Sequence, residues 1–309
     1  MLQRFLVIPT RLKLFFALSR TPHGLLDMAT PVFAALLWLG EFPPLHILIP
    51  GLLTAFSGYT AVYALNDIVD FRADKTKMRG NPVDKTENYL DGVVARHPMA
   101  QGLLSFKEGL AWAFGWSVAA MIGAWLLNPL CLLIFVAGFL LEIAYCLMWR
   151  VSPLRSLASG IVKTSGAMAA VFAVDGRPSA VFMVTLFFCL FFWEIGGQNI
   201  PADWTDVEID QRFNARTIPV CLGPDVAAFI MLVSIGAVMV LIPLLFHLSR
   251  SAYAPIHVMI SLGMSAYILL LPAVRLFTNK DRVHAIDLFN KASFFPPALL
   301  FPVALKIIF

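Results

Sequence analysis

The most constraining feature of this sequence is a series of long apolar segments. A transmembrane helix needs about 20 consecutive, mostly apolar residues. Nine segments reach or approach this length, and short polar or proline-containing turns separate most of them. They lie at residues 24–41, 45–65, 106–127, 129–149, 155–174, 179–199, 223–247, 254–276 and 288–309. The sequence therefore predicts an all-α polytopic membrane protein, in which residues 1–309 form one bundle of about nine transmembrane helices.

The composition of the chain excludes most other protein classes. Of its 309 residues, 59% are hydrophobic and 14% are charged, against about 45–50% and about 25% in a typical soluble domain. A soluble fold of this size cannot bury so much apolar surface. An ordinary soluble enzyme, a disordered chain and a disulfide-stapled secreted domain are thereby excluded. The net charge of +4 is explained by Lys and Arg in cytoplasmic loops, so we expect no nucleic-acid partner.

The distribution of Lys and Arg predicts the orientation of the chain in the bilayer. With the N-terminus inside, 19 of the 23 Lys and Arg residues fall on the cytoplasmic side and 3 on the outer side. This asymmetry agrees with the positive-inside rule. It places an amphipathic segment, residues 1–22, and two long polar loops, residues 66–105 and 200–222, in the cytoplasm. We expect an integral protein of a bacterial plasma (inner) membrane.

The two cytoplasmic loops share one aspartate spacing. Both have aspartates at positions i, i+3 and i+7, and 136 residues separate the two sets: Asp67, Asp70 and Asp74, then Asp203, Asp206 and Asp210. On a helix these offsets place three carboxylates on one face, where they repel one another. Mg²⁺ relieves such repulsion, because it prefers oxygen ligands and is commonly held by carboxylates together with substrate phosphates. The paired loops therefore predict Mg²⁺ ions with a diphosphate between them.

A diphosphate also needs cationic contacts. Basic residues occur in both loops: Arg72, Lys75, Lys77, Arg79, Arg96 and His97, then Arg212 and Arg216. Lys163 lies about two turns inside the fifth predicted span. An ionisable residue in a span is a functional candidate, although a lysine can also extend to the interface. Glu142 and Glu194 raise the same question.

At this point the motifs resemble those of the UbiA superfamily of intramembrane prenyltransferases. Asn66-Asp67-x-x-Asp70-x-x-x-Asp74 is similar to the first family signature, and Asp203-x-x-Asp206-x-x-x-Asp210 is similar to the second. The segments 96–102, 152–155 and 216–220, together with Tyr145, resemble shorter family motifs. The resemblance covers nearly the whole chain.

The resemblance implies a helical bundle around a central cavity, and Mg²⁺-dependent transfer of a prenyl group from a prenyl diphosphate to a small hydrophobic, commonly aromatic, acceptor, as in lipid or quinone biosynthesis. It implies these metal ligands: Asp67, Asp70, Asp74, Asp203, Asp206 and Asp210. It implies these catalytic residues, with Asp203 or Asp206 alternatively orienting or deprotonating the acceptor: Asp67, Asp70, Asp203 and Asp206. It implies these diphosphate-binding residues: Asn66, Arg72, Lys75, Arg216, Asn199 and Tyr145. Lys163, singled out by its position within a span, is a further catalytic candidate and could contact phosphate.

Three departures leave the acceptor and the prenyl length open. The stretch between Asp74 and Arg96 is longer than in the family, and His97 stands where the family has proline. The region after Tyr145 lacks the usual lysine, for which Arg150 or Arg155 can substitute.

Three other functions compete with prenyl transfer. Residues 154–166 also resemble the branch that transfers phosphoribosyl groups to a polyprenyl phosphate. Residues 91–96 match the start of the CDP-alcohol phosphotransferase signature, but the aspartates that should follow Gly102 are missing. A divalent-cation carrier should hold its carboxylates near the bilayer midplane, whereas both aspartate sets lie at one face.

Overall fold

The computed structural model describes residues 10–80 and 95–309, and their regular structure is helical throughout. Residues 1–9 of the predicted amphipathic segment and residues 81–94 of the lengthened loop lie outside the described residues. The helices, in chain order, are α1 Thr10–Leu18, α2 Thr21–Asp27, α3 Ala29–Leu39, α4 Leu45–Val69, α5 Phe71–Gly80, α6 Phe106–Leu127, α7 Pro129–Leu147, α8 Arg155–Val174, α9 Ala180–Trp193, α10 Ile200–Thr205, α11 Val207–Arg212, α12 Ile218–Leu248, α13 Pro255–Ser265, α14 Leu271–Asn279, α15 Arg282–Ala292 and α16 Phe295–Ile308.

Eight helical stretches of the described chain are long and apolar enough to cross a bilayer, and each overlaps one predicted span. The first predicted span, residues 24–41, is instead divided into α2 and α3. Pro31 accounts for the division, because it has no N–H to donate to the carbonyl of Asp27. Many large apolar side chains on the outer surface are exposed, among them Leu53, Phe114 and Val240. An apolar exterior confirms the predicted polytopic membrane fold.

Local sequence signals explain where several helices begin and end. Ser105 and Glu108 form a reciprocal capping box at the start of α6, which satisfies two otherwise unpaired N–H groups. Asn128 caps α7 by accepting a hydrogen bond from the N–H of Leu130. Gly40 ends α3 with a φ of 74°, a conformation that glycine adopts without steric cost.

Two π-helical segments interrupt the long spans, at Glu194–Asn199 and Ala266–Leu270. A proline follows each of them, Pro201 and Pro272 respectively. Each proline lacks the N–H that would bond a carbonyl four residues earlier, inside the π segment. π-Segments are frequent at functional sites, and the first one turns Glu194, Gln198 and Asn199 toward a central cavity.

The main core lies between α9 and α12, where Phe182, Trp193 and Ile235 are almost fully buried. The π segment after α9 approaches α12 so closely that a Cβ atom on Gly196 would lie 2.9 Å from the carbonyl oxygen of Met231. The same core extends to α3 and α8, which pack against each other, while α4 packs against α6 and α7. The central cavity lies between α3, α4, α7 and α8.

The described part of the N-terminal segment packs against α6. Leu14, Phe15 and Leu18 of α1 join a small apolar cluster with Met99 and Leu104. The ring of Phe15 stacks on Trp112 with 4.8 Å between centroids. The apolar face of this segment therefore has a protein partner in addition to any contact with lipid.

Candidate active site

The two aspartate segments lie at the same end of the bundle, which we call the acidic pole: residues 66–74, 96–97 and 203–210. Each segment changes helix at its middle aspartate. Asp70 separates α4 from α5, and Asp206 separates α10 from α11. The predicted single helix face is therefore wrong in detail, because a helix break occurs in each set. The breaks are nevertheless equivalent, since ψ is −2° at Asp70 and 10° at Asp206.

The first aspartate set converges on His97. Its Nδ1 atom lies 3.1 Å from Oδ1 of Asp67 and 3.0 Å from Oδ2 of Asp74. One ligand atom from each of these three residues lies within 4.8 Å of the others. Arg20 adds a second cation, with Nη2 at 3.3 Å from Oδ1 of Asp67. The four groups thus come from three separate parts of the chain.

The backbone of His97 explains one departure from the family pattern. Its φ is 53°, whereas proline is restricted to about −65°. Proline therefore cannot occupy this position in the observed loop conformation. The histidine places a ring nitrogen between two carboxylates, which proline has no group to replace.

Electrostatics within the first set follow from this geometry. Burial lowers the pKa of His97, but Asp67 and Asp74 outweigh it and raise the pKa to about 9. Burial raises the pKa of Asp74, yet the charge and hydrogen bond of His97 leave it below its usual value. Burial and the charge of Asp74 raise the pKa of Asp70. His97 is therefore an imidazolium at neutral pH in the metal-free protein.

The second aspartate set is held by other partners. Arg96 Nη2 donates to Oδ2 of Asp206 at 2.9 Å, and Trp149 Nε1 donates to Oδ1 of Asp210 at 3.2 Å. Burial raises the pKa of Asp210 to about 6, against the opposing charge of Lys77. Oδ2 of Asp203 and Oδ1 of Asp206 are buried and have no hydrogen-bond partner among the described residues. Unpaired buried carboxylate oxygens are costly, and they suit a divalent cation.

The predicted cationic residues separate into two groups. Arg72, Lys75 and Arg216 are exposed, while Lys163 lines the cavity and donates to Oδ2 of Asp27 at 2.6 Å. The arginine that bonds the first aspartate set, Arg20, is not among these four.

Other cations lie closer to the carboxylates. Lys77 lies over the Trp149 ring, with 4.0 Å from Nζ to the centroid. Its charge opposes the rise that burial causes in the pKa values of Asp70 and Asp210, and it helps to lower the pKa of Asp74. Arg155 is buried and stacks on Tyr145, with 4.1 Å from Cζ to the ring centroid. Arg155, one of the two arginines predicted to substitute for the family's lysine, thus contacts Tyr145 directly.

The acidic pole continues into the cavity through a chain of hydrogen bonds. Asn66 accepts from Arg20 Nη2 at 3.0 Å and donates to Oε1 of Glu142 at 2.8 Å. Asn199 donates to the Tyr145 hydroxyl at 3.2 Å. Asn66, Tyr145 and Asn199, all predicted from the sequence as diphosphate-binding residues, thus lie where the pole meets the cavity.

Sequence reasoning missed Arg20, Asp27 and Tyr63. In the sequence, Arg20 is one of the Lys and Arg residues that predict the orientation of the chain. Asp27 lies in an apolar segment with no recognisable motif. The available signal for Asp27 is its charge within a predicted span, which is the same signal that singles out Lys163.

The cavity has a volume of about 350 Å³. Polar side chains line the end near the acidic pole: Arg20, Asn66, Glu142, Tyr145 and Asn199. Most of the other lining side chains are apolar, including Leu36, Leu48, Leu52, Phe135 and Phe139. The site thus joins a charged end suited to phosphates with an apolar chamber suited to a hydrocarbon chain.

Comparison with known families decides what this arrangement belongs to. The model of the UbiA prenyltransferase family matches residues 28–295, which is most of the chain. The protein is a member of the UbiA prenyltransferase family. The predicted family and enzyme class are thereby confirmed.

Related proteins and structures agree with the UbiA assignment. The digeranylgeranylglyceryl phosphate synthase of Thermococcus kodakarensis is 22% identical over 299 residues, which cover 94% of this chain and 98% of the relative. The apo structure of a UbiA homolog from Aeropyrum pernix K1 has a TM-score of 0.73 and 20% identity, covering 92% of this chain and 97% of that one. A UbiA homolog from Archaeoglobus fulgidus, solved with DMAPP and Mg²⁺ bound, has a TM-score of 0.65 and 15% identity, covering 94% of this chain and 99% of that one.

Proposed function

We propose that this UbiA protein transfers a prenyl group from a prenyl diphosphate to a small hydrophobic acceptor with an aromatic ring, and that Mg²⁺ is its cofactor. The observation that carries the proposal is the continuity between the acidic pole and the apolar cavity. A prenyl diphosphate has the same two parts, a polyanionic head and a hydrocarbon tail. The Mg²⁺-bound and DMAPP-bound homolog from Archaeoglobus fulgidus supports the same donor class.

The residues present fit Mg²⁺. The two sets offer carboxylate oxygens, the ligands that Mg²⁺ prefers, and Asp203 and Asp206 have buried oxygens without a partner among the described residues. The first ion would be held by Asp67, Asp70 and Asp74, and the second by Asp203, Asp206 and Asp210. Bound Mg²⁺ neutralises the charge that develops on the departing diphosphate.

The protein's own groups then contribute binding and orientation. Arg20, Lys77 and Arg155 lie close enough to the aspartates to change their pKa values, and we propose that they contact phosphate oxygens together with Asn66 and Asn199. Exposed Arg72, Lys75 and Arg216 would attract the anionic head from solvent. Tyr145 sits at the boundary between head and tail.

The reaction proposed for this site is a substitution at the first carbon of the prenyl chain. The bond from that carbon to the diphosphate oxygen breaks, and the diphosphate leaves with the electron pair. The same carbon forms a bond to the acceptor, which loses a proton. The apolar walls exclude water from the allylic cation, and the faces of Tyr59, Tyr63 and Phe135 in the cavity lining stabilise positive charge.

A product assay in nanodiscs tests the proposal. Purified protein with Mg²⁺ is given prenyl diphosphates of several lengths and pooled aromatic and glycerol phosphate acceptors, and products are identified by mass spectrometry. We expect a prenylated product with the wild type and with Asp225→Asn, a matched control whose aspartate is exposed and paired with Lys280. Asp67→Asn and Asp203→Asn should lose it. Absence of both Mg²⁺-dependent donor binding and product would contradict the proposal.

The relatives favour one alternative acceptor, because they are digeranylgeranylglyceryl phosphate synthases. A glycerol phosphate acceptor is therefore included in the same assay. Phosphoribosyl diphosphate as donor and Mg²⁺ flux into liposomes test the phosphoribosyl-transfer and carrier alternatives. Product from a prenyl donor without ion flux separates the enzyme from the carrier.

We further propose that the acidic pole faces the cytoplasm of a bacterial plasma membrane, as the distribution of Lys and Arg predicts. The chain provides its own probe, because Cys221 is exposed while Cys131, Cys146 and Cys189 are buried. Cys221 lies near the pole at the start of α12. A membrane-impermeant maleimide should label inside-out vesicles and leave right-side-out vesicles unlabelled, with Cys221→Ser as control. The reverse labelling would contradict this orientation.

A further inference from the structure

Trp149 lies between the two aspartate segments of the acidic pole and contacts both of them. It belongs to a short 3₁₀ turn, Met148–Arg150, which connects α7 to α8. Only 9% of its surface is exposed, so protein encloses it, unlike the tryptophans that face the membrane interface. The contacts of this indole are therefore contacts within the pole.

The ring face of Trp149 meets the first aspartate segment. Lys77 follows Asp74 by three residues on α5, and its Nζ atom lies 4.0 Å from the centroid of the Trp149 ring. A cation over an indole face is attracted by the electron-rich ring, and more strongly where water is excluded. Residues three apart share a helix face, and on this face Asp74 meets His97 while Lys77 meets Trp149. The indole thus holds α5 next to the carboxylate of Asp74.

The edge and the backbone of Trp149 meet the second aspartate segment. Its Nε1 atom donates to Oδ1 of Asp210 at 3.2 Å, and Asp210 is only 2% exposed. Its carbonyl oxygen accepts a hydrogen bond from the N–H of Arg216 at 2.8 Å. The N–H of Ala215 returns to the carbonyl oxygen of Asp210 at 2.8 Å. The stretch from Asp210 to Arg216 is therefore fixed to Trp149 at both ends.

One rigid ring thus joins two segments that are far apart in the sequence. The indole N–H donates and the ring has no acceptor atom, so Trp149 offers no ligand to Mg²⁺ and acts through Lys77 and Asp210. A diphosphate that meets both aspartate sets depends on the distance between them. A misplacement of about 1 Å in such an arrangement can cost about 100-fold in rate.

We propose that Trp149 is a positioning residue that holds the two aspartate segments in register, with its ring face placing Lys77 and its N–H placing Asp210. The inference rests on the proposed function, in which Mg²⁺ and a diphosphate bind between the segments. The two contacts predict two separable effects. The ring contact should affect the affinity for the prenyl diphosphate through Lys77. The N–H should affect the affinity for Mg²⁺, because a partner that orients a metal ligand commonly changes metal affinity by about 10–100-fold.

Binding measurements in nanodiscs without acceptor separate these effects. The probes are geranyl diphosphate, whose Kd is measured at saturating Mg²⁺ for each variant, and Mg²⁺, whose half-saturating concentration is measured at fixed geranyl diphosphate. Trp149→Phe keeps the ring face and removes the N–H, so the Kd should stay within twofold of wild type while half-saturating Mg²⁺ rises about tenfold. Trp149→Leu removes both and should also raise the Kd about fivefold or more. The matched controls are Trp125→Phe and Trp125→Leu, at a tryptophan that is 58% exposed, and both should behave as wild type.

A double-mutant cycle tests whether Trp149 acts through Lys77. Lys77→Gln should raise the Kd for geranyl diphosphate about fivefold in the wild type but less than twofold in Trp149→Leu, because the lysine is no longer held. Equal increases in the two backgrounds would overturn the inference. If Trp149→Leu shows no unfolding transition and is therefore not folded, Lys77→Gln and Trp149→Phe still measure the two contacts separately.

The remaining outcomes are distinct. A tryptophan that only fills space would lower the Tm of Trp149→Phe and Trp149→Leu and leave the Kd and the Mg²⁺ requirement unchanged, which would overturn the inference while leaving prenyl transfer standing. Absence of Mg²⁺-dependent binding of every prenyl diphosphate to the wild type would instead refute the proposed function.

Discussion

The two aspartate segments of the acidic pole have the same spacing and the same helix break, yet they differ in what surrounds them. In the first, Asp67 and Asp74 converge on His97, and Arg20 contacts Asp67. In the second, Arg96 and Trp149 reach Asp206 and Asp210 separately, and two carboxylate oxygens have no partner among the described residues. Oδ2 of Asp74 also has no hydrogen bond among the described residues, but it lies 3.0 Å from His97 Nδ1. Identical spacing therefore produced one set whose carboxylates share a cation from elsewhere and one with two oxygens that no hydrogen bond from the described residues reaches.

The contrast shows that the spacing of the aspartates along the chain determines only where their carboxylates lie relative to one another. Their charge balance is set by side chains that other helices and loops contribute. A cluster that contains its own cations gains less from an added metal ion, because its carboxylates are already paired. A cluster with unpaired oxygens gains most from an added cation. The following variants test that contrast.

The largest expected effect is a loss of activity, which should be similar for variants of the two segments. Only their thermal stability should differ. Asp67→Asn and Asp203→Asn should each lower kcat by about 100-fold or more, the scale seen when one group that stabilises transition-state charge is removed. In EDTA, Asp67→Asn should lower the Tm, because the partly buried His97 and Arg20 lose a charged partner. Asp203→Asn should leave the Tm unchanged or raise it.

Thermal unfolding in detergent, with and without Mg²⁺, measures this difference, and Asp225→Asn is again the surface control. An equal loss of Tm in both variants without metal would contradict the contrast, because it would show that the protein's own cations pair equally well with both segments.

A smaller effect concerns His97 and pH. The pKa of His97 is about 9 in the folded protein, above the ordinary 6.5. Its stabilisation of the metal-free protein is therefore complete below pH 6.5 and is lost as the pH rises through about 9. His97→Asn should cost about 2–3 kcal/mol at neutral pH, the scale of hydrogen bonds between charged groups. The Tm gap between variant and wild type in EDTA should shrink above pH 9. A gap that is constant with pH would mean that His97 stabilises by packing instead.

The smallest expected effect tests the second segment. Arg96 and Asp206 are about one-quarter and one-fifth exposed, and partly exposed ion pairs contribute about 0.2–1 kcal/mol. Arg96→Gln should therefore raise the KM for the prenyl diphosphate no more than about fivefold and leave the Tm nearly unchanged. A loss as large as that of Asp203→Asn would show that Arg96 organises the second segment.

The sequence alone determined the membrane class, the helix positions and the two aspartate sets, because hydrophobic length and residue spacing are local properties. Eight of the nine predicted spans overlap helical stretches of the described chain that are long and apolar enough to cross a bilayer. Pro31 divides the remaining one, residues 24–41, for a reason that is also local. Asn66, Tyr145 and Asn199 were predicted from short motifs and lie beside the cavity.

The pairing of cations with carboxylates, in contrast, depends on the tertiary structure. His97 reaches Asp67 across 30 residues, Arg96 reaches Asp206 across 110 and Lys163 reaches Asp27 across 136. No local pattern records such pairings, because the packing of separate helices brings them together. The same packing buried Asp27 and Glu194 in the cavity lining, and it left Arg72, Lys75 and Arg216 exposed.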